Sequence, residues 1–372
     1  MDGPRPPRAS EADDLAGLMI EAFDFAPDHS GRERLRKDMS GRARMRRTLV
    51  IVEDGKPVSH IHTVYDRLSL LGCRVKVGSV SGVCTHSEYR GRGYAGAILA
   101  HTLADMKAAG AKIVIVSGDR GLYYRAHCVP VGDLLVGRLG RDSIPTPRAG
   151  LSVRPTTPDD WPSLSALHCA EPVRFLRTAD TFSRQSARWR GSSPKLWLVE
   201  SHDDPLAYLW LGPRWSRPRS DSRDVCEYAG SRAALVEAVP LLLEATELKE
   251  IVMSVLGIDR ELSYLLSRRG IALQPTHIEG THGILNLPGL MRDMRQYLAA
   301  RLPRADLRRL SFDQQGDTCT FGLGDDRIEL DASQAVRLVL GSAEAPSVGG
   351  ELGRALSAIF PLPMPMPGFN AV

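Results

Sequence analysis

A pattern of residues near the start of the chain returns 146 residues further on. Arg8, Asp13, Asp14, Leu15 and Leu18 are echoed by Arg154, Asp159, Asp160, Trp161 and Leu164. The order of elements after each copy also repeats: a helix, several strands, a helix, a strand and a helix. A fixed-offset echo of this kind is the mark of a duplicated structural unit. The 372 residues are enough for two such units and a third, since domains run to roughly 100–200 residues.

In the first copy, apolar spacing predicts a helix over 13–25 with Ser10 as its N-cap. Strands are predicted over 48–53, 58–65 and 75–85, with Asp54-Gly55 as a hairpin turn between the first two. A helix over 94–109, a buried strand over 112–117, a short helix from Leu122 and a closing strand near 133–137 complete the unit. The stretch 141–150, with two prolines, a serine and a glycine, reads as a linker. The second copy carries strands at 196–200, 207–211 and 225–229, a helix at 232–245, a strand at 250–255 and a helix at 260–269. From Leu287 a third region shows an amphipathic helix at 290–302. A small antiparallel sheet comes next at 310–312, 319–323 and 328–330, then helices at 332–340 and 352–360. The expected fold class is therefore α/β and α+β: two tandem mixed sheets with flanking helices, then a small α+β domain. The expected bounds are 1–145, 146–286 and 287–372.

Composition narrows the function classes. Hydrophobic residues at 43% and charged residues at 25% are those of an ordinary globular chain. No apolar run approaches the ~20 residues that cross a bilayer, and the first residues lack an apolar signal core, so no membrane role and a cytoplasmic location are expected. The net charge is +4, and 41 of the 48 basic residues are arginine. The cluster Arg32, Arg34, Arg36, Lys37, Arg42, Arg44, Arg46 and Arg47 is diluted by Glu33 and Asp38 and has no interleaved aromatics. It reads as a solvated helical face, and no nucleic-acid partner is expected. The six cysteines form no C-x-x-C pair and read as reduced thiols. His60 and His62 share one side of a strand, and His277 and His282 lie five apart, but neither pair has a third ligand at a telling spacing. No metal site is expected.

The chemistry-bearing segment is 83–96, where a strand ends, glycines bend the backbone and a helix begins. Free N–H groups at a helix N-terminus favour a pyrophosphate, and Arg90 and Arg92 add charge for the same anion. Gly91, Gly93 and Gly96 satisfy G-x-G-x-x-G literally, and Asp119 stands 23 residues beyond as a candidate ribose ligand, which makes an NAD(P)-binding protein one reading. Against it, residues 86–90 separate the strand from the glycines, and the preceding antiparallel strands do not belong in that fold.

Arg90-x-x-Gly93-x-Ala95 resembles the R/Q-x-x-G-x-G/A loop of the GCN5-related N-acetyltransferases (GNAT family), and the run 121–128 (GLYYRAHC) resembles that family's later LYxxxGF segment. Over its whole length the chain resembles the enhanced intracellular survival (Eis) type. In that type an active GNAT domain precedes a second GNAT-like domain without the cofactor loop and a sterol-carrier-protein-like domain. The resemblance implies acetyl-CoA as cosubstrate. It places the pantetheine arm along Val83, Cys84 and Thr85, and the pyrophosphate on Arg90, Gly91, Arg92, Gly93, Tyr94, Ala95 and Gly96. Gly118 and Asp119 lie farther along the cofactor. A splayed strand end near Val83 can also polarise the thioester carbonyl through an N–H.

It further implies Tyr123 as the acid for the CoA thiolate, with Tyr124 as rival, and the terminal carboxylate of Val372 as base. Asp24 and Phe25 are expected to face the acceptor pocket. The acceptor class is a small cationic amine, an aminoglycoside-like compound or a lysine side chain, and the assembly a homo-oligomer. The chain departs from the pattern at His127, where the family has glycine, and at Cys128, where it has an aromatic. The other readings are a carrier of an apolar ligand on a GNAT scaffold and a nucleic-acid or regulatory protein using the 32–47 cluster.

Overall fold

The computed structural model describes residues 1–23, 39, 41–144, 147–188, 195–212 and 221–370. The first unit opens with strand β1 (Asp2–Arg5) and helix α1 (Ala12–Ala22). A short helix α2 (Arg42–Met45) then leads into strands β2 (Thr48–Glu53), β3 (Lys56–Leu70) and β4 (Cys73–Thr85). Helix α3 (Tyr94–Ala108), strand β5 (Ile113–Val116) and helix α4 (Gly121–Tyr124) come after them. Strand β6 (Leu134–Gly140) is next in the chain. The expected elements are present in this order, with α1 described as far as Ala22 and Phe23 as its C-cap.

The second unit repeats the layout with strands β7 (Leu151–Pro155), β8 (Val173–Phe175), β9 (Lys195–Ser201), β10 (Asp204–Gly212), β11 (Ser222–Gly230), β12 (Glu250–Leu256), β13 (Gln274–Thr276) and β14 (Thr281–Ile284). One sheet runs β1-β2-β3-β4-β5-β14, with β8 added against β3; the other runs β13-β6-β12-β11-β10-β9-β7. In each, the central pair is parallel (β4 with β5, β11 with β12) and the other pairings are antiparallel.

Two sequence expectations change here. The strand near 133–137 does not close the first sheet. It becomes β6 and pairs with β12 and β13 of the second sheet, while β14, from beyond the second copy, takes the equivalent place beside β5. The two units exchange these strands. The repeat itself also has a different offset. Arg5 pairs with Glu11 at 2.7 Å, and Arg154 pairs with Asp160 at 2.8 Å. Each acid also accepts a backbone N–H, Glu11 from Arg8 and Asp160 from Thr157. Arg5 therefore corresponds to Arg154, and the structural repeat is 149 residues rather than 146. Each ion pair fastens a first strand to the start of a first helix, and the arginine of each pair holds its carboxylate below the usual range.

The third unit is a three-stranded antiparallel sheet of β15 (Leu310–Gln315), β16 (Thr318–Leu323) and β17 (Asp326–Asp331). The helices Leu287–Asp293, Arg295–Arg301, Arg304–Arg309, Ala332–Leu340 and Gly350–Ile359 accompany it. One core joins all three units: Leu68, Val75 and Val77 of the first sheet, Phe175 of β8, and Leu290, Met294, Phe321 and Ile359 of the third unit belong to it. The proline-rich tail docks. Leu362, Met364 and Phe369 are buried, and Phe369 stacks on Trp210 with centroids 4.7 Å apart.

Candidate functional site

The site is built where the first sheet opens. Strand β4 pairs with β5 from Val77 to Val80, and beyond Val80 the two strands part. On the other side of β4 the ladder with β3 skips: His62 faces Ser81 and His60 faces Cys84, so Gly82 and Val83 together oppose Ile61. This is a β-bulge, which bends a strand and frees its backbone groups. Gly82 sits at φ +62°, where a side chain would press on Met19 and His60, so this position requires glycine.

From Thr85 the chain passes through a short 3-10 turn to Gly91 (φ +78°) and Gly93 (φ +81°). Gly93 is the left-handed N-cap of α3, and among the described residues no side chain caps the helix. The first N–H groups of α3 are thus left for an outside acceptor. A groove of about 730 Å3 runs from here, lined by Thr85, Arg90, Gly91, Gly93, Tyr94, Ala95 and Gly96 at one end. Along its length it is lined by the apolar Leu99, Leu103, Leu122 and Ala126. A side chain at Gly91 or Gly93 would meet only open space, so both face the groove unobstructed. The groove thus joins an anion-binding head to a trough that is apolar where it follows Leu99, Leu103 and Leu122 and has Arg125, His127 and Asp317 on its wall.

The sequence-predicted residues divide by where their side chains go. Arg90 lines the groove and donates from Nε to the Thr85 carbonyl. Arg92 is exposed and folds over the Tyr89 ring, 4.7 Å from its centroid, with Nη2 donating to the Glu88 carbonyl. Val83 packs on the α3 side of the sheet. Cys84 points the other way, among Leu15, Leu18 and Met19, where burial pushes its thiol up to about 12. Its side chain is part of the core, and its carbonyl accepts from Ser59 Oγ. Gly118 accepts from Thr281 Oγ1 and makes room for the Tyr123 ring, which a Cβ there would approach to 2.8 Å. Asp119 is exposed, and neither it nor Gly118 lines the groove.

Tyr123 is buried, with 5% of its surface exposed, and burial raises its hydroxyl pKa, which keeps the proton on. Tyr124, on the next position of the same short helix, is exposed. His127 answers for the family's glycine by adopting φ +57°, the left-handed backbone that glycine serves. Its ring contacts the third unit, with Nδ1 3.0 Å from Ser333 Oγ and Nε2 3.4 Å from Asp317 Oδ2. Cys128 is fully buried, with its sulfur beneath Gly283 of β14. Val372, Asp24, Phe25, Arg32, Arg34, Arg36 and Lys37 lie outside the described residues.

The corresponding junction of the second unit is built differently. Ser231 Oγ caps the helix that starts at Arg232 by accepting the Ala234 N–H. The Glu171 carboxylate accepts the Gly230 N–H and pairs with the Arg232 guanidinium, which also reaches Asp259. A carboxylate of the chain itself sits where the first unit leaves N–H groups open. The cavity beside it, about 360 Å3, is lined by these mutually paired groups. Sequence reasoning missed two features: the tail clamp in the second unit, in which Arg177 binds Glu227 and Asn370, and the contact of His60 with the bulge. Neither has a local signal, because each joins residues more than twenty positions apart.

Residues 4–127 match the domain family described as acetyltransferase (GNAT) domain, so the first third of the chain carries a GNAT acetyltransferase domain. Three solved structures are similar over nearly the whole chain. A GCN5-related N-acetyltransferase from Kribbella flavida is 16% identical, with 97% of each chain covered and a TM-score of 0.67. One from Anabaena variabilis is 14% identical, with the same coverage and score. Eis1 from Mycobacterium abscessus is 16% identical, covering 96% of this chain and 97% of that one, with a TM-score of 0.65. At such identities the likeness establishes the fold. No curated protein matches the sequence. Among the described residues, no helix is long and apolar enough to cross a membrane.

Proposed function

We propose that the chain is an acetyl-CoA-dependent N-acetyltransferase of the Eis type, acting by direct attack of an amine. The observation that carries this reading is the open, uncapped α3 terminus at Gly93 leading into a groove that runs past the turn bearing Tyr123. The domains are read as a catalytic unit (1–145), a second GNAT-like unit (146–286) and a sterol-carrier-protein-like unit (287–372), with β6 and β14 exchanged between the first two.

Acetyl-CoA supplies the acetyl group as a thioester. The α3 N–H groups with Arg90 hold its pyrophosphate, and Thr85 and the parted end of β4 align the pantetheine arm. The amine attacks only when neutral, so a base must take its proton. That base is the terminal carboxylate of Val372, two residues beyond Asn370. Asn370 is fixed by the Arg177 Nε–H at 2.8 Å, and the Phe369 N–H donates to Glu227. The Tyr123 hydroxyl protonates the departing thiolate. The acceptor is a small cationic amine or a lysine side chain, and the assembly a homo-oligomer. Thiol release from acetyl-CoA across a panel of polyamines, aminoglycosides and lysine peptides tests the reading. Absence of turnover with every amine, together with tight uptake of an apolar ligand, would replace it with a carrier function.

A further inference from the structure

We propose that His60 is a positioning residue for acetyl transfer: resting on the reading above, its imidazole holds the Gly82 carbonyl so that the Val83 N–H is presented to the thioester oxygen. His60 lies on β3, opposite Cys84, immediately beside the bulge. It is fully buried, and its Nδ1 is 2.6 Å from the Gly82 carbonyl oxygen. A carbonyl only accepts, so Nδ1 carries the proton and donates it. Burial depresses the imidazole pKa to about 4, so the ring is neutral and this tautomer is fixed at ordinary pH. Among the described residues Nε2 has no hydrogen-bond partner, and the bond to Gly82 is what anchors the ring.

The consequence lies in the geometry of a single peptide unit. Gly82 and Val83 form the bulge, so the ladder does not dictate the orientation of the peptide between them. In a trans peptide the C=O and the N–H point in opposite directions. Drawing the Gly82 carbonyl to His60, on the β3 side, turns the Val83 N–H away from β3. On that other side β4 has lost β5, because the parallel pairing ends at Val80. The N–H therefore faces the gap between β4 and β5, two residues before Thr85 at the head of the groove. A prepositioned N–H aimed at developing negative charge is the kind of donor whose removal costs about 10²–10³ in rate.

The test compares His60→Asn with His60→Leu in the full chain. The amide nitrogen of Asn stands close to the place of Nδ1 and retains a donor, whereas Leu has none. The expected result is a kcat about 10²-fold lower in His60→Leu, with KM for acetyl-CoA within about twofold of wild type, and recovery to within a few-fold in His60→Asn. Wild-type kcat in His60→Leu overturns the proposal, as does an equal loss in both variants or a loss confined to KM. Should His60→Leu fail to fold, 15N-histidine spectra of the wild-type chain decide: a proton on Nδ1 supports the proposal, and a proton on Nε2 overturns it. A wild-type chain that does not bind acetyl-CoA would overturn the reading of the site itself. Binding and turnover with an indifferent His60→Leu would overturn this inference alone.

Discussion

Two neighbouring tyrosines, one position apart on a single helical turn, end in opposite environments. Tyr123 is held inside by Gly118 and by the apolar layer under α3, and its burial keeps the hydroxyl protonated; Tyr124 faces solvent. Tyr123→Phe is expected to lower kcat about 10²-fold, the usual worth of a positioned acid, and Tyr124→Phe to leave it within twofold; steady-state kinetics with acetyl-CoA checks both. Buried histidines also shape acid stability. His60 and His282 are held neutral, each pushed down by burial to about 4 from an ordinary value of 6.5. Between these values the unfolded chain binds protons that the folded chain refuses, so stability falls as the pH drops from 6.5 to 4. His282→Leu, away from the groove, is expected to flatten the fall of melting temperature across that window. A second loss belongs to lower pH. Glu227, held at about 2 by Arg177, contributes stability that is present above the ordinary carboxylate pKa and lost as the pH falls from there towards 2.

At the scale of elements, the strand–loop–helix turn was legible in the sequence, because each of its parts is a local signal. Gly91 and Gly93 need positive φ, Arg90 supplies charge, and apolar spacing marks α3. Gly93→Ala forces a Cβ into a φ of +81°, which costs about 1–2 kcal/mol. The expected result is a roughly 5–30-fold rise in KM for acetyl-CoA with kcat retained, read by kinetics and by calorimetric titration. The bulge in β4 was half legible. A strand glycine at Gly82 hints at an irregularity, but its partner His60 stands twenty-two residues earlier, beside a second histidine whose pairing with it carries no ligand spacing. In the structure His62 Nδ1 meets Thr48 Oγ1, and the two rings serve separate partners. The second unit's closed junction was legible only as a missing glycine loop. The Glu171 carboxylate that fills it comes from about sixty residues before the helix it seals.

At the scale of the whole molecule, alternation of apolar residues identifies a strand but not the sheet that receives it, which is why β6 was expected in the first unit. The exchange has a thermodynamic consequence. A fragment ending at residue 145 would leave β5 without β14 on its outer edge and β6 without β12 and β13. It would also uncover Leu68, Leu70, Val75 and Val77, whose core partners include Phe175, Leu290 and Met294. An unpaired edge beside an exposed apolar face is an aggregation site. Residues 1–145 alone are therefore expected to be insoluble or to lack near-ultraviolet circular dichroism, although they contain the whole glycine loop and α3. The full chain is expected to melt in one cooperative transition, with calorimetric and van't Hoff enthalpies in agreement. A folded 1–145 fragment that binds acetyl-CoA, or two separated transitions in the full chain, would show that the exchanged strands do not couple the units. The second unit, with the corresponding junction closed by Glu171, then serves the first one structurally. Its strand β14 completes the sheet that carries the site, and Arg177 and Glu227 within it hold the tail at Phe369 and Asn370.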